Sequence, residues 1–193
     1  DSQEIQSYLF QKFKVNAVYI PYGAQRIKNP DPHILGEFNV RPGAYNLVVA
    51  RLEPENNIET ILEGVRHSHS SRVMLVVGDH STDYGRSMKR RFRDSRIRFL
   101  SSTYHKAKIQ NLRYHAHLYF HGHTVGGTNP SLLEAMACEC VIVAHSNPFN
   151  REVLGEDGNY FLDATDVSNA LDHLERTELQ NRHLKANLRK IKT

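Results

Sequence analysis

The sequence contains no tryptophan and only two cysteines, Cys138 and Cys140. Two thiols this close together make no disulfide framework, so a reducing compartment is the default expectation. No apolar run is long enough to cross a bilayer as a helix, and no signal-peptide pattern is visible. Neither sign of charge dominates: 25 Lys and Arg face 21 Asp and Glu, a net charge of +4 with His neutral. That balance admits anionic ligands or an acidic membrane surface and does not call for nucleic acid. Internal repeats and low-complexity tracts are lacking as well. What remains is a chain of 193 residues, 39% hydrophobic and 24% charged, enough for one globular domain with a real core. It opens on Asp1 rather than Met, and it reads as a fragment or a processed chain.

Ile5, Tyr8, Leu9 and Phe13 follow helical spacing. Val15 to Tyr22 reads as a strand closed by Gly23, and residues 24–44 are polar and carry Pro30, Pro32, Pro42 and Gly43, the composition of a linker. Residues 1–44 are therefore expected to be the end of a preceding domain plus a linker, and residues 45–193 the main domain. From Tyr45 onward the pattern is regular. Strands are expected at Asn46–Ala50, Arg72–Val77, Ile97–Leu100, Ala116–Phe120, Val141–Ala144 and Tyr160–Leu162. Helical spacing falls between them at Ile58–Val65, Tyr84–Arg93 and Tyr104–Tyr114, with largely helical sequence from Val167. Apolar strands alternating with helices predict an α/β fold, a Rossmann-like parallel sheet covered on both faces. Ligands of such folds sit beyond the carboxyl ends of the strands.

The chain is organised around His121 to Glu134, which joins the fourth strand to a helix through a glycine-rich loop. Asn129 suits an N-cap and Pro130 the first helical position. Free backbone N–H groups and the positive end of the helix dipole then point into the loop, a ready site for a phosphate or carboxylate, with Gly126, Gly127, Thr128, Asn129, Ser131 and Leu132 as its candidate donor-binding residues. Glu134 lies one turn inside and leans back toward that site. An acid beside an anion site suits a ligand with both phosphates and hydroxyls, such as a nucleotide sugar. The plainer alternative is a tight turn with a surface glutamate.

Other strand ends should line the same edge. Arg51 either clamps a diphosphate or pairs with Glu53 or Glu55. Asn56 and Asn57 are expected as helix caps first and ligand contacts second. Gly78 ends the second strand. Ser101 to Tyr104 either cap the next helix or hold a base, with Tyr104 as its flank. His115, His117, His121 and His123 alternate along one segment, which raises a zinc cluster, but no Cys or acid completes the set. His123 alone, in the loop, is the better candidate, as a donor to the ligand or a general base. Lys89-Arg90-Arg91 reads as a solvated helix face, with anionic lipid as the second reading. Glu152 either bonds sugar hydroxyls or caps a helix.

Taken together, these positions resemble the family 4 glycosyltransferases. Val48-Val49-Ala50-Arg51-Leu52-Glu53-Pro54-Glu55-Asn56-Asn57 is similar to the "GRL-x-PEKG" segment that opens their C-terminal domain. Leu132-Leu133-Glu134-Ala135-Met136-Ala137-Cys138, followed by Val141-Ile142-Val143-Ala144, is similar to "P-x-x-EAMACGxPVIA", and Arg151-Glu152-Val153 to the later "xEV". Gly126 to Glu134, with Tyr19-Ile20-Pro21-Tyr22-Gly23 upstream, looks like a subfamily that includes rhamnosyltransferases of bacterial surface polysaccharides. The resemblance implies the GT-B architecture, with this chain as the C-terminal, donor-binding domain and a preceding domain holding the saccharide acceptor. It implies a nucleotide diphosphate sugar as ligand, dTDP-rhamnose in that subfamily; with Arg51 and helix N–H groups to meet the diphosphate charge, no metal and no cofactor is expected. It also implies a cytoplasmic protein, with the inner face of the membrane as a second expectation.

Carried over residue by residue, Arg51 contacts the diphosphate and Glu134 the ribose or deoxyribose hydroxyls. The Gly126–Ser131 loop holds phosphate and sugar through its backbone. The chain departs from the pattern at four positions. Gly126 stands where the family has an acid, Asn56 where it has Lys, Ala50 where it has Gly, and Glu139 where it has Gly. His123 is the candidate to stand in for the acid. The competing expectations are a nucleotide-sugar-binding module without catalysis and a His-based metal hydrolase.

Overall fold

The computed structural model describes residues 2–103, 105–175 and 177–191. Six strands form one parallel sheet: β1 (Tyr45–Val49), β2 (Val73–Val77), β3 (Ile97–Leu100), β4 (Tyr119–His121), β5 (Ile142–His145) and β6 (Asn159–Phe161), in spatial order β3-β2-β1-β4-β5-β6. The order reverses between β1 and β4, so the loops leaving these two strands diverge and open a crevice. Eight α-helices and two 3-10 helices, Pro32–Phe38 and Pro54–Asn56, complete the described residues: α1 (Gln3–Phe13), α2 (Ile58–His67), α3 (Asp83–Arg91), α4 (Lys106–Tyr114), α5 (Pro130–Ala137), α6 (Pro148–Leu154), α7 (Ala164–His173) and α8 (Glu178–Lys190).

The alternation of side chains along each strand splits the core into two layers. Tyr45 and Leu47 of β1, with Leu75, Tyr119, Ile142 and Ala144, pack on α4, α5 and the end of α8 through Leu112, Leu132, Met136 and Ile191. Val48, with Met74, Val76, Phe120 and Val143, packs on α2, α3 and α7 through Ile61, Leu62, Met88, Val167 and Leu171. In α2 the buried set Ile58, Ile61, Leu62 and Val65 has the spacing of one helical face.

The N-terminal expectations need correction. Val15 to Tyr22 forms no strand. Its β-branched residues favour extended backbone, but nothing offers them a hydrogen-bonding ladder, and Val18 and Ile20 stay exposed. The polar stretch that follows is ordered against the domain. Ala24 and Leu35 join the first core layer, Pro32–Phe38 form a 3-10 helix, and the Asp31 amide donates to Asn111 of α4 at 2.6 Å. Glu152 caps α1, accepting from Ser2 Oγ at 2.6 Å and from the amides of Gln3 and Glu4 at 2.6 and 3.2 Å. Capping is the second of the two roles expected for it. No helix among the described residues is long and apolar enough to cross a membrane.

Candidate functional site

A cavity of about 950 Å³ lies beyond the carboxyl ends of the strands, over the crevice between β1 and β4. Its walls come from the loops after β1, β2, β3 and β4, from α4 and α5, and from Gly23-Ala24-Gln25. Of the residues expected here from the sequence, Arg51, Asn56, Gly78, His123, Asn129, Ser131 and Glu134 line it. Tyr104 lies outside the described residues.

The β1 and β4 loops are stitched to each other. Asn57 Nδ2 donates to the Gly122 carbonyl at 2.7 Å, and Thr124 donates to the Glu55 carbonyl through both its amide (3.0 Å) and its hydroxyl (2.9 Å). Asn57 is the N-cap of α2, as expected, its carbonyl accepting from the Ile61 amide at 3.0 Å, but its side chain bonds no helix amide; Asn56 belongs to the preceding 3-10 turn, Pro54–Asn56, and does not cap α2. Asn57 takes a left-handed backbone (φ 49°) at the start of the helix, which Asn tolerates better than most residues. Asn56 Nδ2 donates to the Arg51 carbonyl at 2.9 Å, so its Oδ1 faces His123 Nδ1, also at 2.9 Å. That orientation makes Nδ1 the proton-bearing nitrogen of the neutral ring. The His123 carbonyl is held in turn by Asn147 at 2.9 Å and Asn150 at 3.1 Å. Burial holds His123 below the usual imidazole pKa, with Arg51 adding to the effect and the Val125 carbonyl and Glu55 opposing it. His123 is therefore a neutral imidazole near pH 7.

Two glycines let the loops approach. A Cβ on Gly122 would lie 2.0 Å from the Asn56 carbonyl oxygen, and one on Gly78 would lie 2.4 Å from that of Ala50. Either side chain would force the β1 loop away from its neighbour.

At the glycine-rich turn, Asn129 is the N-cap and Pro130 the first residue of α5, as the sequence predicts. The amides behind them are less available than expected. The Asn129 carboxamide accepts from the Ser131 amide at 2.9 Å, and its carbonyl accepts from the Leu132 amide at 3.0 Å. The Leu132 side chain is fully buried in the core, so Leu132 does not reach the cavity. Gly126, which has φ 83°, Gly127 and Thr128 are not among the lining residues either.

The floor holds a residue that sequence reasoning missed. Arg113, in the last turn of α4, reaches under α5, where its guanidinium meets the Glu134 carboxylate at 2.6 Å and Ser131 Oγ at 3.0 Å. Its side chain is 4% exposed and that of Glu134 53%. Tyr119 OH and Ser131 Oγ share a hydrogen bond of 2.8 Å, and both hydroxyls reach the Val49 carbonyl, at 3.5 and 3.3 Å. Burial disfavours the Arg113 cation, but Tyr119 and Glu134, with Cys140 and Cys138, together more than offset it, and its pKa lies above the ordinary value. Beside it His121 is buried, and burial pushes its pKa down to about 3. A cation in an apolar helix–strand layer carries no sequence motif. The one available signal was an Arg on the inner side of a helix whose neighbours Leu112 and Ile109 point inward.

Arg51 pairs loosely with Glu55 at 3.6 Å and is 77% exposed. Elsewhere along the segment, His115 ends α4 and His117 Nε2 bonds the Leu174 carbonyl at 3.0 Å, at the opposite end of β4 from His121 and His123. Among the described residues no three His, Cys, Asp or Glu side chains converge as a metal site.

With this geometry in place, the comparisons with known proteins are informative. Residues 40–192 match the family described as Glycosyl transferases group 1, and the chain belongs to that family. No curated protein matches it. Among solved structures, it is similar to Anabaena Alr3699/HepE, solved in complex with UDP and glucose (TM-score 0.78, 18% identity), covering 97% of this chain and 56% of that one. It is also similar to a glycosyltransferase from Rickettsia africae ESF-5 (TM-score 0.77, 12% identity), covering 98% of this chain and 56% of the other. The pneumococcal O-GlcNAc transferase GtfA, in complex with UDP and GlcNAc, matches at TM-score 0.61 and 13% identity, over 97% of this chain and 35% of that one. The chain thus spans about half the length of the first two and a third of the last. At these identities the likeness shows the shared Rossmann-like fold of GT-B glycosyltransferases.

Proposed function

We propose that this chain is the donor-binding domain of a glycosyltransferase and that the cavity at the β1/β4 switch point takes a nucleotide diphosphate sugar. The observation that carries the reading is one cavity lined by both a solvent-facing guanidinium, Arg51, and a fixed carboxylate, Glu134. The first suits a diphosphate and the second suits sugar hydroxyls. UDP bound to HepE and to GtfA supports a nucleotide diphosphate as the common part of the ligand. Residues 1–44 would lead from an acceptor-holding domain, and a rhamnosyl donor with a surface-polysaccharide or lipid-linked acceptor is the finer reading, supported by the subfamily resemblance. Such a domain acts in the cytoplasm.

In the transfer, the bond from the anomeric carbon to the diphosphate oxygen breaks through an oxocarbenium-like state as the acceptor hydroxyl oxygen bonds to that carbon; negative charge grows on the leaving diphosphate, and the hydroxyl proton passes to it or to water. Arg51 stabilises that charge, and the loops hold the donor in line with the acceptor. His123, neutral with its proton on Nδ1, is placed to hydrogen-bond the sugar where Gly126 offers no carboxylate. Calorimetric titration with UDP, dTDP and their sugars tests the reading. Binding of one diphosphate nucleotide, weakened about tenfold in Arg51→Ala, is the expected result. A folded chain that binds none of them at millimolar concentration refutes it. Donor hydrolysis by the complete protein separates a transferase from a binding module.

A further inference from the structure

Resting on the donor-site reading, we infer that Arg113 is the positioning residue that presents the Glu134 carboxylate to the donor's ribose. Glu134 lies on the exposed side of the pair, at the cavity wall, and has a flexible side chain that in water samples many rotamers. Arg113 removes that freedom. It approaches from beneath and engages Oε2 at 2.6 Å, so Oε1 takes no part in that bond. Its other terminal nitrogen grips Ser131 Oγ at 3.0 Å, on the first turn of the same helix. The guanidinium is thus fixed at two points one turn apart on α5, and the carboxylate inherits that fixation. Tyr119 and the Val49 carbonyl hold Ser131 from behind at 2.8 and 3.3 Å. A ligand hydroxyl then meets an acceptor already in place, and the ordering cost is met in folding rather than in binding.

The simpler account makes the pair a latch between α4 and α5. An apolar side chain of similar volume would serve that purpose as well or better, because a buried ion pair must overcome the desolvation of both charges. A latch also has no need for one partner to stand half in solvent on a cavity wall. The two accounts part on what the substitution changes. A latch affects folding, whereas a positioning residue affects the contribution of the ribose hydroxyls.

The test is calorimetric titration of the 193-residue chain with UDP and dTDP, each beside its counterpart lacking the ribose hydroxyls, and with UMP. In the wild type, loss of the hydroxyls should weaken binding about tenfold, the size of a hydrogen bond to a charged group. In Arg113→Met that ratio should fall below about threefold, as in Glu134→Gln, while the ratio of UDP to UMP stays at its wild-type value. Arg113→Lys keeps the charge but cannot grip Glu134 and Ser131 together, so it should give a ratio between the two, and it decides the matter if the methionine variant does not fold. A folded Arg113→Met chain that keeps the full tenfold ratio overturns the inference and leaves the donor site standing. So does a wild type that binds nucleotides without regard to their hydroxyls. A wild type that binds no nucleotide overturns the donor site and the inference with it.

Discussion

At the rim of the cavity Arg51 is 77% exposed and meets Glu55 at 3.6 Å, while at the floor Arg113 is 4% exposed and meets Glu134 at 2.6 Å. Both are arginines, both line the same space, and both pair with a glutamate. The rim pair sits in high dielectric, is screened by salt and contributes little to stability. The floor pair has given up most of the water around its cation, so its geometry must be close and its partner cannot be lost cheaply. Surface charge can be spent on a ligand because the fold does not depend on it. Buried charge belongs to the fold first, and on the donor-site reading it would reach a ligand only through the carboxylate it holds.

That contrast is most exposed to failure at Glu134. Glu134→Ala leaves the Arg113 guanidinium buried without its carboxylate and should cost about 3 kcal/mol, the lower end for such a loss because Glu134 is itself half in water. Arg113→Met removes the buried cation and leaves a carboxylate that solvent can hydrate, so it should cost no more than about 1 kcal/mol. Urea denaturation of the two variants measures the asymmetry. Equal losses would mean that the pair behaves like one at the surface, and the distinction between floor and rim would be gone.

A second effect, of about 2 kcal/mol at pH 5, belongs to the floor alone. His121 titrates near 6.5 when unfolded, and burial brings it to about 3 in the fold. Between these values the unfolded chain takes up a proton that the folded one refuses. Stability is therefore full above about pH 6.5 and falls as the pH drops toward 3, by about 1.4 kcal/mol per pH unit for this one proton. His115, His117, His123 and His145 are lowered too, each chiefly by burial, and add slopes of the same sign. In His121→Phe the dependence between pH 6 and pH 5 should be shallower by one proton. An unchanged slope would place water around His121 and undo the picture of a dry floor.

At the rim, Arg51→Ala should shift the urea midpoint by less than the equivalent of about 0.5 kcal/mol. If the donor-site reading holds, the same change weakens a diphosphate nucleotide about tenfold, or about 1.4 kcal/mol. A large stability loss here would show that the Arg51–Glu55 pair supports the loop rather than serving a ligand.

The difference between rim and floor also marks what the sequence could reveal. The parallel sheet was legible because its apolar strands and amphipathic helices recur at regular intervals, and Ile97–Leu100 is recovered to the residue. Asn129 and Pro130 were legible because a cap is a local device, read from adjacent positions. Arg51 and Glu134 were legible because each sits beside a motif. Arg113 was not, since its partners Ser131 and Glu134 lie 18 and 21 positions away, and only packing of α4 beneath α5 unites them. Asn56 was misread as a cap for the same reason, because its hydrogen bond to His123 spans 67 positions. Val15 to Tyr22 failed in the other direction, where strand propensity was real but no neighbouring strand existed to satisfy it. Leu132 failed by one position, as the buried face of α5 claims it and leaves the wall to Ser131 and Glu134.

The smallest effect concerns how α5, which carries Ser131 and Glu134, is ended. Glu139 stands where the resembling family has glycine, and it adopts φ 53°, the left-handed region in which a side chain crowds the following carbonyl. Its amide still bonds the Met136 carbonyl at 3.1 Å and that of Cys140 bonds Ala135 at 3.1 Å, so the turn is closed in spite of the side chain. Glu139→Gly relieves the crowding, worth about 1–2 kcal/mol, but gives back about 0.5–1 kcal/mol through the freedom glycine has when unfolded. The net should be a gain of about 0.5–1 kcal/mol, seen as a higher urea midpoint at unchanged slope. The hydroxyl ratio should not move, because the turn lies beyond the far end of the helix from Ser131 and Glu134. If the ratio did change, the position of Glu134 would depend on how α5 ends as well as on the guanidinium beneath it. The floor would then be set by the whole helix rather than by one buried pair.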